Sequence, residues 1–444
     1  MLNLILAFIL GSLSFLPLIA QVQNKANITP TRTDSKTDRA SLYTEVKELK
    51  FGQLERELAV MPVSPKRDFF AGIVANREGR IEDSIRSLNK TIPSIRTSRP
   101  EWAALGLEAL ADDYLKSYRY ADSSEAYADL LAHFSNQIDK SRLQDIRDDA
   151  GIISLLKTVP PQTISWKAPV NLKTERSPIG SIDAELTVNG VKGPWIFDTG
   201  ANFSVLSASF AKRLGIQPSI GTAQTMSGLT GIENRLHVGV LPDVKVGGAT
   251  IHNVIVLILD DDNLTIRLPK GKYRINAILG YPAFQALGSI TFMKDGAFEA
   301  GKTFDSSKPA ATLYMDNLSP MLECGVDGRK LMFTFDTGAD SSQFSVRYYR
   351  EFSAQFRALK KSRHGTYGAG GGLESMVYIL PKTVLRIADE NVTLHNTTVF
   401  PVSQNSPMDY AYGNLGRDFV SGFDSFTLDF AHMRFSLGNA VARP

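Results

Sequence analysis

Cysteine is almost missing from this chain: Cys324 is the single one among 444 residues. An internal disulfide and a thiolate-based zinc cluster are therefore excluded, and stability must come from packing. A surplus of one charge sign is missing too. The net charge of +3 is spread along the sequence, which leaves no basic face for nucleic acid, and no such partner is expected. The six histidines (133, 237, 252, 364, 395 and 432) form no HExxH or close ligand pair, so neither a metal nor another cofactor is expected. Beyond residue 20 no apolar run is long enough to span a bilayer, which places the remainder on one side of any membrane.

What is present begins with an apolar leader. Residues 1–20, MLNLILAFILGSLSFLPLIA, end in Pro17 and the small Ala20, as the core and cleavage region of a signal peptide would. The usual positive charges at its start are lacking, and its length also suits a retained membrane anchor. Cleavage is the preferred reading, with an exported, periplasmic or secreted protein as the consequence. A membrane partner is expected only if the segment stays uncleaved.

Residues 21–40 are polar without hydrophobic period and read as a flexible linker. From 41 to 158 apolar residues recur at three- and four-residue steps, as in 69–92 and 106–134, the spacing that lines one face of a helix. Gly79-Arg80-Ile81 can be laid over Tyr118-Arg119-Tyr120 at a shift of 39. The spacing predicts an all-α region of helical hairpins, similar to a short tetratricopeptide-type array, with a plain helical bundle as the alternative. Pro160-Pro161 ends it. Beyond lie short β-branched and aromatic runs punctuated by Gly, an all-β signal.

That β region, 162–444, contains an internal duplication. Asn189-Gly190 and Asp327-Gly328 are hairpin-turn dipeptides, and each precedes a strand that runs into Asp-Thr-Gly: Asp198-Thr199-Gly200 and Asp336-Thr337-Gly338. Turn and triplet both repeat at a shift of 138. Downstream, Leu279-Gly280 and Leu415-Gly416 repeat at 136, and between the anchors each copy carries a Leu-Pro pair (Leu241-Pro242, Leu380-Pro381) and a His-Asn pair (His252-Asn253, His395-Asn396). One such triplet would be weak. Two in matching contexts are much harder to obtain by accident.

On these motifs residues 162–444 resemble the retropepsin-like aspartic peptidases, fused as two lobes on the pepsin-type plan. The expected architecture is thus multidomain: an N-terminal helical-hairpin region, then an all-β bilobal acid-protease fold with lobes at 162–300 and 301–444. The resemblance implies that the two triplet loops face each other, which spacing alone does not show. It implies Asp198 and Asp336 as catalytic residues, with Thr199 and Thr337 bonded across the lobes and Gly200 and Gly338 letting the backbone turn beneath the carboxylates.

Chemistry gives a separate reason for two aspartates. Neighbouring carboxyls cannot both ionise easily, so the pair shares a proton and offers one base and one acid to a water and a peptide carbonyl. Ala201 and Ala339 follow the triplets, where pepsin-like enzymes usually carry a hydroxyl that bonds the aspartate. Losing that donor predicts a pH optimum on the mildly acidic to neutral side. Gly-rich stretches at 227–231 and 367–372 are candidate flaps over an extended peptide or protein substrate. The helical region would bind substrate or a protein partner, or act as a prosegment. The rival reading is a catalytically inert peptide-binding or scaffold protein of the cell envelope with the same fold.

Overall fold

In a computed structural model the described residues are 3–4 and 36–441, apart from 219, 227–232, 269–270, 369–370 and 405–408. The apolar leader, except Asn3–Leu4, and the first flap candidate lie outside them. Among these residues, after the two-residue strand Asn3–Leu4, seven α-helices precede a β region, consistent with the expected order. None of the described helices is long and apolar enough to cross a membrane.

The helices are α1 (Lys36–Lys47), α2 (Phe51–Val60), α3 (Pro65–Arg77), α4 (Ile81–Ile95), α5 (Pro100–Lys116), α6 (Tyr120–Phe134) and α7 (Lys140–Leu155). α1 begins inside the stretch read as a linker to residue 40, a correction: its charged first turn has no apolar period to betray it. Three hairpin turns share one construction. Leu49, Gly79 and Tyr118 are left-handed at φ 58°, 67° and 59°. In each case the amide of the next residue donates back to the last helical turn: Lys50 to Glu45, Arg80 to Ala75 and Arg119 to Tyr114. This closure satisfies carbonyls that a helix end leaves unpaired. The repeat at 39 residues therefore marks a repeated turn. Its first occurrence, at Leu49, carries no glycine to announce it.

In the β region the two predicted hairpins form. Ile182–Val188 pairs antiparallel with Val191–Phe197 across Asn189-Gly190, and Ser319–Val326 with Arg329–Phe335 across Asp327-Gly328. All four turn residues have positive φ, the twist that two-residue hairpins require. Each second strand then pairs in parallel with the apolar-Gly element of its own half: Ile196 with Ile278 and Phe197 with Leu279, Thr334 with Asn414 and Phe335 with Leu415. The Leu-Pro and His-Asn pairs meet within each half. Leu241 pairs with Val254 and Asp243 with His252, leaving Pro242 and the left-handed Asn253 unpaired opposite one another; Leu380 with Thr397 and Lys382 with His395 do the same around Pro381 and Asn396. Proline lacks the amide a ladder needs, so both long hairpins kink at the same place.

The halves join through Ser289–Met293 and Ser425–Asp429, antiparallel, with Thr291 opposite Thr427. Their hydroxyls lie 2.9 Å apart, and Phe292 stacks on Phe426 beside them. These partners are 136 residues apart, the shift of the repeat, so a local twofold axis passes through this pair.

The helices dock on both halves. Arg77 forms a 2.7 Å ion pair with Asp316, Phe51 packs on Tyr314, and Leu155 lies against Gly221 at the start of a long first-half hairpin. The Tyr118 hydroxyl and the Gln162 amide both donate to the Pro282 carbonyl, two residues beyond Gly280. Inside the helical layer Asn76, Asp112, Asp113 and Lys116 form a fully buried polar cluster, with Asn76 donating to both carboxylates and Lys116 to Asp112.

Burial, reinforced by neighbouring Asp112, raises the Asp113 pKa to about 7. Folding then favours its protonated form, so its contribution to stability is full below the ordinary carboxyl range and is lost as pH rises through about 7. We expect Asp113→Asn, which keeps the uncharged shape, to gain melting temperature relative to wild type by several degrees between about pH 5 and about pH 8. Thermal unfolding of both proteins across that range measures it; a constant difference would contradict the assignment.

Candidate active site at the junction of the two halves

Each Asp-Thr-Gly loop is held by its own half in the same way. The Asp198 amide donates to the Leu279 carbonyl at 3.1 Å and the Asp336 amide to Leu415 at 3.0 Å. Coming back, the Ala201 carbonyl accepts from the Tyr281 amide and the Ala339 carbonyl from that of Arg417. The Gly280 and Gly416 amides donate to the hydroxyls of Ser204 and Ser342. Neither glycine can be replaced without displacement: an added Cβ would lie 2.6 Å from the Phe203 backbone at Gly280 and 2.8 Å from that of Ser341 at Gly416.

Between the halves the loops interlock. The Thr199 amide donates to Thr337 Oγ1 at 3.0 Å, and the Thr337 amide donates to Thr199 Oγ1 at 3.1 Å. Thr337 Oγ1 in turn donates to the Phe197 carbonyl of the opposite half at 2.9 Å. Both threonines are fully buried, where an amide without a partner would be costly.

This lock sets each glycine against the carboxyl of the other loop. A Cβ on Gly200 would lie 2.5 Å from the Asp336 carboxyl carbon, and one on Gly338 would lie 2.5 Å from that of Asp198. The Gly200 amide donates to Asp198 Oδ1 at 2.9 Å and the Gly338 amide to Asp336 Oδ1 at 2.7 Å. Asp198 is 0% and Asp336 3% exposed. Burial, with the Asp336 carboxylate beside it, holds the Asp198 acid well above its ordinary pKa, against the opposing pull of the Gly200 amide and the Arg417 guanidinium. Two acids packed together this tightly cannot both carry charge without a large electrostatic cost.

All six residues singled out from the sequence, Asp198, Thr199, Gly200, Asp336, Thr337 and Gly338, thus meet at one junction. Ala201 and Ala339 are fully buried beside them and offer no hydroxyl. Among the flap candidates, Ser362–Gly368 and Gly371–Ile387 form an antiparallel hairpin whose last pair is Gly368 with Gly371. The matching first-half hairpin runs from Gly221–Met226 into Glu233–Val246.

Two residues at the junction escape the sequence reading. Arg417, only 7% exposed, donates to the Thr337 carbonyl at 2.6 Å and to the Gly180 carbonyl of the first half at 2.8 Å, and lies 3.5 Å from Asp340. Asn414 donates to Asp336 Oδ2 at 3.4 Å. Their counterparts in the first half are Tyr281 and Ile278, so reading the repeat for likeness passes over both. Reading it for difference would have found them.

The family model described as aspartyl protease matches residues 184–283, a span that contains Asp198 to Gly200 and Leu279-Gly280. At this coarse level the match supports an aspartyl protease. No curated protein matches the chain.

Because Thr337 Oγ1 serves two partners and Thr199 Oγ1 is an acceptor for one, Thr337→Val should destabilise the protein more than Thr199→Val. A cost of about 1–3 kcal/mol per buried group left unpaired sets the scale. Denaturant unfolding of the two variants tests the order; equal, negligible losses would show that the lock is not a source of stability.

Proposed function

We propose that residues 162–444 form a fused, two-lobed aspartic endopeptidase of the retropepsin-like kind, with Asp198 and Asp336 as its catalytic residues. The observation that carries this reading is the reciprocal seating of each carboxyl over the other loop's glycine. Two acids placed so close make the protonated and ionised members that general acid–base hydrolysis needs. A water held by both carboxyls loses a proton to the ionised member as its oxygen attacks the peptide carbonyl. The protonated member donates to the developing oxyanion. As the C–N bond breaks, the leaving nitrogen takes a proton from one carboxyl while a hydroxyl of the tetrahedral diol returns one to the other, which leaves the pair singly protonated as at the start. Thr199, Thr337, Gly200 and Gly338 act as positioning residues, holding the carboxyls in register.

The substrate is an extended peptide or protein segment crossing the junction beside the paired strands Gly221–Met226 with Glu233–Val246 and Ser362–Gly368 with Gly371–Ile387. Export to the periplasm or outside the cell fits the leader at 1–20 and a fold that uses no disulfide. The helical region, with its tetratricopeptide-like hairpins, presents a protein partner or orients the catalytic lobes. Its docking by Tyr118, bonded to Gln162 and Pro282 of the first lobe beside the apolar-Gly element, favours an integral part over a detachable prosegment. A retained fold without turnover is the competing reading.

The test is hydrolysis of a peptide library by the purified full chain. Asp198→Asn and Asp336→Asn should each lower turnover by at least roughly 10²–10⁴-fold, the scale of a lost general acid or base. Equal turnover in all three proteins would dismiss the dyad, and no turnover by wild type would favour the inert reading. The raised Asp198 pKa extends the singly protonated pair toward neutrality. A pH–rate profile with its optimum on the mildly acidic to neutral side is therefore expected; a maximum only in strong acid would contradict it.

A further inference from the structure

The two halves hold their carboxyls alike on one side and differently on the other. Both inner oxygens, Asp198 Oδ1 and Asp336 Oδ1, accept from the glycine amide two residues on. The outer oxygens part company. Asp198 Oδ2 is buried and accepts from no amide or hydroxyl donor, its carboxyl facing only that of Asp336, whereas Asp336 Oδ2 accepts from Asn414 Nδ2 at 3.4 Å.

The difference is built into the repeat. Where the first half pairs Ile196 with Ile278 across its parallel ladder, the second pairs Thr334 with Asn414. Thr334 Oγ1 lies 2.7 Å from Asn414 Oδ1 and donates to it. The single Thr334 hydroxyl proton has two acceptors in reach, Asn414 Oδ1 at 2.7 Å and the Gly413 carbonyl at 3.2 Å; the shorter bond sets Oδ1 toward Thr334 and so turns Nδ2 toward Asp336. Asn414 is 6% exposed, so neither contact is a solvated surface bond. A buried apolar pair replaced by a buried polar one is a costly exchange unless every group is used, and here the amide uses both ends.

We propose that Asn414, oriented by Thr334, breaks the symmetry of the carboxyl pair: its amide favours the negative charge on Asp336 and leaves the shared proton on Asp198. Asp336 is then the base that takes the proton from water, and Asp198 the acid that donates to the oxyanion. A donor aimed at one carboxylate stabilises its ionised form and lowers the first ionisation of the pair. The raised pKa of Asp198 agrees in direction. The other charged groups around the pair do not supply this bias. The Arg417 guanidinium acts on both carboxyls, and Arg176 and Asp340 face it. Asp418, half-buried and bonded to Ser342, would oppose charge on Asp336 if ionised.

The division of roles rests on the peptidase reading, but the location of the proton does not, and the experiment separates them. The probe is the carboxyl ¹³C titration of the full chain carrying ¹³C-labelled aspartate, with the pair's signals assigned by Asp198→Asn and Asp336→Asn. In Asn414→Ile, which copies the first half, the lower of the two ionisation steps should rise by roughly half to one pH unit. Thr334→Val should shift it the same way by less, and Thr334→Ser, which keeps the hydroxyl, should leave it at the wild-type value. Should Asn414→Ile not fold, the Thr334 pair carries the same comparison. A lower step that stays put, or falls because the amide presents its oxygen to Asp336, overturns the proposal. If the protein hydrolyses peptides, the acid limb of kcat/KM should move with the titration. If it does not, a shifted titration upholds the proton assignment while the peptidase reading fails.

Discussion

Everything at the junction depends on one reciprocal contact, the pair of hydrogen bonds in which the Thr199 and Thr337 amides each donate to the other residue's hydroxyl. They are short-range and fully buried, so they admit little play between the halves. With the threonines fixed, the next residue in each loop is carried against the opposite acid, and only glycine leaves room for it. The closeness of the carboxyls is therefore a product of packing forced on them from outside. Two buried acids would otherwise separate or neutralise; the lock, the glycine amides and the guanidinium of Arg417 hold them together.

The surrounding architecture transmits this constraint from a distance. The paired strands at Thr291 and Thr427 set the twofold relation at the base of the β region, and the parallel ladders at Leu279 and Leu415 deliver both loops from equivalent positions. The helical layer adds a third support, since Tyr118 donates to the carbonyl of Pro282 while Gln162, at the start of the β region, donates to both. Tyr118 occupies a left-handed position that glycine fills in the preceding hairpin. Its hydroxyl donates to Pro282 and accepts from Gln162, bonds to the β region that glycine could not make, which accounts for a strained residue there.

Much of this was legible because the chain says it twice. Asn189-Gly190 and Asp327-Gly328 carried their turn type in their residue identities, and the order of Leu-Pro and His-Asn pairs carried a kink whose geometry is visible only when the strands are paired. The α-then-β order followed from periodicity and the prolines at 160 and 161. What could not be read was contact across the repeat. No spacing reveals that Arg417 reaches Gly180, 237 residues away, or that Asn414 faces Asp336. Both sit where the second copy departs from the first, and a search for likeness discards such positions. The start of α1 at Lys36 was hidden for a different reason, because a helix end with no apolar face resembles a linker in composition.

The central claim is that both carboxyls act on one tetrahedral centre, and ligand geometry tests it most directly. A peptide whose scissile carbonyl is replaced by a secondary alcohol imitates that centre and should bind more tightly than the parent peptide. In a crystal structure of the complex, the account predicts the alcohol oxygen within about 2.5–3.2 Å of both Asp198 and Asp336. An alcohol bonded to one acid alone, or a ligand seated away from the junction, would contradict it.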